Sequence, residues 1–139
     1  MKKLFSLMTF AVMLVLLSSE SKAQVVYTEV ANVDSVRVAY RWQRERFFAS
    51  DSHAVLNLQM TNESEESVKV SFVAAFYRGG IMVFETAEQE ICLKPGETKR
   101  GHRAGLRFMA EGITMLTVEQ EDFSWDIPFM DVVPVPVCK

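Results

Sequence analysis

From Val36 onward, apolar side chains recur at every second residue: Val36, Val38, Tyr40 and Trp42 alternate with Arg37, Ala39, Arg41 and Gln43. A period of two puts the two sets on opposite faces of an extended chain, whereas a helix would scatter them around its axis. The rhythm returns in Leu56, Leu58 and Met60, in Val68, Val70, Phe72, Ala74 and Phe76, in Ile91 and Leu93, in Leu106 and Phe108, and in Phe123, Trp125 and Ile127. Each run is therefore read as a strand with one face buried and the other wet. Turn formers divide the runs every dozen residues or so. Gly79 and Gly80 permit the positive φ of a tight hairpin, and "IMVFE" is its returning strand. "KPGE" has proline preset for the second place of a type II turn and glycine for the left-handed third. Short strands between turns, with almost no helical period, predict an all-β, antiparallel β-sandwich of about seven strands. Both tryptophans fall on inward stripes and are read as core side chains.

Two stretches break the rhythm. "EGITMLTVEQEDF" has Thr114 three residues before Thr117 and no Gly or Pro from Ile113 to Phe123, so it is read as a loop with a short helix. "DVVPVPVCK" carries Pro134 and Pro136 two residues apart, which places both missing donors along one side of an extended chain. Only a strand at the edge of a sheet can turn that side to solvent. The C-terminus is thus predicted to be an edge strand.

The chain opens with Lys2 and Lys3, an apolar run from Leu4 to Leu17, and the small-x-small sequence Ser21, Lys22, Ala23. This is the pattern of a cleaved export signal over residues 1–23, followed by a single domain over residues 24–139. The apolar run, about 14 residues, is short for spanning a bilayer, so no transmembrane anchor is expected after processing. An uncleaved anchor is the alternative. Removing Lys2, Lys3, Lys22 and Glu20 from the 15 basic and 18 acidic residues leaves a net charge of about −5, which argues against nucleic acid as a partner. The two cysteines, Cys92 and Cys138, both follow the signal. An oxidising compartment and an even count favour a disulfide between them over two free thiols. Such a bridge would tie the C-terminal edge strand to the strand bearing Cys92. The destination read from these features is periplasmic or extracellular.

The central block, "LNLQMTNESEESVKVSFVAAFYRGGIMVFETAEQEICLKPGETKRG", has a strand ending at Thr61, Asn62 and Ser64, then a V-x-V-x-F strand. Phe76 and Tyr77 precede the Gly79 turn, and Pro95 to Glu97 precede the next strand. This block, about a third of the chain, resembles the small immunoglobulin-like domains of FxLYD type exported by bacteria. The resemblance implies an immunoglobulin-like sandwich in or outside the cell envelope and no reaction, since such domains serve as spacers or binding modules. The two cysteines and the segment from Glu111 to Phe129 depart from the pattern.

Reaction chemistry finds little footing. "GETKRGHR" follows the spacing of a P-loop up to its second glycine, but His102 and Arg103 stand where lysine and a hydroxyl would be needed. Neither His53 nor His102 has a metal-ligand spacing to Cys, Asp or Glu, and no cofactor is expected. Asp51, Ser52 and His53 carry the letters of a hydrolytic relay, yet neighbours on an extended chain point apart. The expected function is a non-enzymatic interaction or accessory module of the bacterial envelope. A secreted adhesin or inhibitor is the first rival, and a hydrolase with residues converging only in the fold is the last. Candidate partner-binding residues are Arg37, Arg41 and Arg46, which with Arg44 would line one outward surface, and Phe47 and Phe48 in the loop "RERFFASDSH". Lys94, Lys99, Arg100, Arg103 and Arg107 would join the arginines if their strands are neighbours. The partner classes expected are an envelope protein or an anionic glycan.

Overall fold

The computed structural model describes residues 25–49 and 51–139, so the export segment read at residues 1–23 lies outside the described residues. In chain order the elements are β1 (Thr28–Val33), β2 (Val36–Arg44), β3 (His53–Asn62), β4 (Ser67–Arg78), β5 (Ile81–Glu85) and β6 (Gln89–Leu93). They are followed by β7 (Thr98–Arg100), β8 (Arg107–Thr114), a one-turn helix α1 (Met115–Val118) and β9 (Phe123–Val135). Two antiparallel sheets face each other. In the first, β1, β2 and β3 lie side by side, and β7 and β8 follow one another along the free edge of β3. In the second, β4 is central, with β9 on one edge and β5 and β6 in succession on the other. With β8 beside β3 and β9 beside β4, and the chain crossing between the sheets after Asn62, the two sheets form an antiparallel β-sandwich.

Among the described residues the strands number nine rather than about seven. Both additions, β1 and β7, lack the apolar alternation that betrays the others. β1 is exposed or half-exposed throughout, and β7 is three residues long. The β1–β2 hairpin turns on Asp34 and Ser35, both at positive φ, where glycine would have advertised it. Gly79 and Gly80, also at positive φ, close the β4–β5 hairpin as expected. Gly96 at φ 69° and the hydrogen bond from Glu97 N to the Lys94 carbonyl make "KPGE" the predicted turn, not a phosphate loop.

The core is drawn from the predicted stripes. Val36, Val38, Leu56, Leu58 and Met60 from one sheet meet Val68, Val70, Phe72, Phe76, Ile91 and Leu93 from the other. Phe72 packs edge-on against Phe108 with ring centroids 6.0 Å apart. Trp42 lies 5.3 Å from Phe76 and 5.6 Å from Phe123, while Trp125 lies 4.8 Å from Tyr40. Both tryptophans pack against the core, as their stripes predict. The segment after Glu111 holds the short helix read there, but strand takes the place of much of the expected loop. β8 runs on to Thr114, which then caps α1: its hydroxyl accepts from Thr117 N, and Thr117 returns the bond to Thr114 N.

Cys92 and Cys138 form a disulfide with Cα atoms 5.5 Å apart. β9 is the predicted edge strand and pairs with β4 alone. Its partner across the bridge is not adjacent, however. β6 lies on the far edge of β4, so the tail beyond Val135 passes the start of β4 to reach Cys92.

Candidate functional site

One end of the sandwich gathers three connections: β2 to β3, β4 to β5, and β8 to β9 through α1. Their common position follows from the pairings Arg44–Ala54, His53–Thr114, Arg78–Ile81 and Arg78–Phe123, and from the Trp42 contacts that join the two sheets there. The β2–β3 connection is closed by a hydrogen bond from Glu45 N to the His53 carbonyl and by a 3.2 Å contact between His53 Nδ1 and Glu45 Oε2. Ser52 Oγ donates to the Arg46 carbonyl at 3.2 Å and pins the inside of the loop.

With its base fastened, the loop projects Phe47 and Phe48 into solvent. They are 86% and 100% exposed, and their rings lie edge to face at 5.8 Å. A phenylalanine gains about 1.5–3 kcal/mol when buried, so this pair forgoes that stabilisation in the isolated domain. The same end exposes Ile81 and Met82 beyond the glycine turn and Leu116 on α1. Around these apolar side chains stand Arg44, Arg46, Asp51, Glu119 and Glu121, all exposed, and the Arg78–Asp122 ion pair at 3.0 Å. An apolar centre with a charged rim has the composition of a protein-docking surface.

The structure separates the residues that sequence reading grouped as one basic surface. Arg37 and Arg41 point outward from β2, but Arg44 alternates with them and Arg46 lies beyond the strand in the loop. Arg46 therefore belongs with Phe47 and Phe48. The second basic group also divides. Strands β7 and β8 flank β3, not β2, so only Arg100 and Arg107 share the outward face of Arg37 and Arg41, with β3 between. Lys94 sits in the "KPGE" turn, Lys99 donates to the Cys92 carbonyl, and Arg103 lies in the 3-10 turn His102–Ala104.

The Asp51–Ser52–His53 run does not assemble as a relay, because the Ser52 hydroxyl is committed to a backbone carbonyl and His53 to Glu45. His102 is exposed in its turn. Among the described residues, no three His, Cys, Asp or Glu side chains stand close enough to hold a metal ion. Nor is any described helix long and apolar enough to cross a membrane. Ile81, Met82 and Leu116 were not singled out in the sequence, since only the topology brings three distant loops together. Comparisons with known proteins return no match to a family model, a curated protein or a solved structure.

Proposed function

We propose that this chain is an exported, non-enzymatic interaction module of the bacterial envelope, and that it docks on a partner protein through the apolar end built from its three loops. The reading rests on one observation: two adjacent phenylalanines are held fully out of the core on a loop whose base is hydrogen-bonded shut. Aromatic side chains are the usual anchors of protein interfaces. The carboxylates of Asp51, Glu119, Glu121 and Asp122 at that end favour a protein surface over an anionic membrane. Export agrees with the N-terminal signal pattern and with the disulfide.

Replacing Phe47 and Phe48 together by Ser tests the reading. Affinity capture from envelope extract should lose its specific partners, by about thirtyfold or more in affinity, while the thermal midpoint stays in place. An unchanged capture profile with the double variant would refute docking through this end. The adhesin or inhibitor reading uses the same loop and differs in the compartment where the captured partner resides.

A further inference from the structure

The outward face of the β1–β2–β3 sheet carries a second, independent surface. Its residues stand in three cross-strand rows set by the register. Arg41, Asn57 and Arg107 form one row, Ala39, Gln59 and Arg100 the next, and Arg37, Thr61 and Thr98 the third. Within a row the outer strands are about 10 Å apart, and successive rows about 7 Å. Four arginines thus ring a floor of amide and hydroxyl side chains, on a domain whose overall charge is acidic. Because Ala39 is small, the middle row sinks into a basin of about 340 Å³, walled by Tyr27, Glu29, Arg37 and Arg100.

Two features of the arginines bear on a ligand. First, Arg41, Arg100 and Arg107 make no ion pair among the described residues, whereas Arg37 is held by Glu63 at 3.1 Å. Second, the Nε atoms of Arg41 and Arg107 are shielded from solvent and find no hydrogen-bond partner among the described residues. A donor closed to water is closed to a ligand as well, so what each of these arginines can offer is its terminal N–H groups. Both flank the buried Asn57 in direct register, and the Arg41 guanidinium lies 5.3 Å from the centre of the Tyr27 ring. A carboxylate bridging the two terminal nitrogens of a guanidinium supplies the counter-charge that Arg41 and Arg107 lack among the described residues.

We infer that this face binds an acidic saccharide, a sugar chain carrying uronic-acid carboxylates, laid from the basin across the neighbouring row of Arg41, Asn57 and Arg107. The arginines fit the carboxylates, and Gln59, Thr61, Thr98 and Glu29 between them offer both donors and acceptors for ring hydroxyls. A protein partner would want apolar anchors, and Ala39 and the half-exposed Val25 are the only aliphatic side chains bordering the basin among the described residues. A bare phosphate would leave the neutral floor unused.

The test is isothermal titration of the purified protein with a galacturonate trisaccharide, its uncharged galactose counterpart and inorganic phosphate. Binding of the acidic sugar alone is expected, weakening with added salt. The double variant Arg41→Gln, Arg107→Gln should weaken it by about tenfold or more, and the exposed Arg100→Gln alone should weaken it measurably if the double variant fails to fold. The Phe47→Ser, Phe48→Ser variant should bind the sugar as the unaltered protein does, which keeps this site distinct from the apolar end. No heat with the acidic trisaccharide, equal binding of phosphate or neutral sugar, or indifference to the arginine variants would each overturn the inference.

Discussion

Asn62 is the residue whose importance the sequence hides best. It reads as one letter of a polar turn, yet it is fully buried at the end of the sandwich opposite the exposed phenylalanines. Its Nδ2 donates to the carbonyls of Glu66, Leu93 and Lys94, and its Oδ1 accepts from the backbone and the hydroxyl of Ser64. One amide thus ties the crossing between the sheets to the β6–β7 turn. Asn62→Ala would strand buried carbonyls without donors, and a loss of about 3 kcal/mol is expected in urea unfolding. A loss within experimental error would show that water replaces the amide. The arginines and phenylalanines were legible as chemistry, because charge and aromaticity are properties of the letter. Their grouping was not, because Arg44 and Arg46 leave the face of Arg37 and Arg41 only once alternation and the strand end are placed.

Among the elements, β9 shows how a bulge absorbs one extra residue and keeps the inward stripe. Phe123, Trp125 and Ile127 face inward, but beyond Pro128 the inward set becomes Met130 and Val132. The register explains the switch: Val73 pairs with Phe129 and Ala75 with Asp126, so two residues, Ile127 and Pro128, stand opposite Ala74. The bulge moves the second half of the strand by one residue, and a one-residue slip exchanges the faces. Deleting Pro128 should therefore close the ladder, with Ile127 opposite Ala74 and Phe129 opposite Val73, and leave Met130 and Val132 inward opposite Phe72 and Val70. A retained near-ultraviolet tryptophan signal is expected; its loss, with a fallen thermal midpoint, would refute this account of the bulge. Gly112, at positive φ, sits in a comparable irregularity, where four residues of β8 from Ala110 to Ile113 oppose Ala54 alone. Regular alternation made the central strands readable. Elements that bulge, or that lie at an edge wet on both sides as β1 does, present no such period.

Taken together, the two sheets were predictable in kind and the disulfide in identity, while the order of strands was not. Cross-sheet pairing is a long-range property, and no local spacing announces that β9 will lie between solvent and β4 with β6 beyond. The bridge across β4 closes a loop of 46 residues by sequence separation. On the chain-entropy model such closure is worth up to about 4 kcal/mol. Replacing Cys92 and Cys138 together by Ser should lower stability by an amount within that bound and release hydrogen-exchange protection first at Val132–Val135. Protection lost uniformly along β9 would contradict the anchoring described. Cys138 also lies three residues beyond the end of β9, so a pull from the C-terminal side of Cys138 enters β6 through a covalent bond before it can unzip β9. If the domain is tethered or carries cargo by that end, tension is borne by the sheet as a shear across three strands, and the last strand never becomes the weak link.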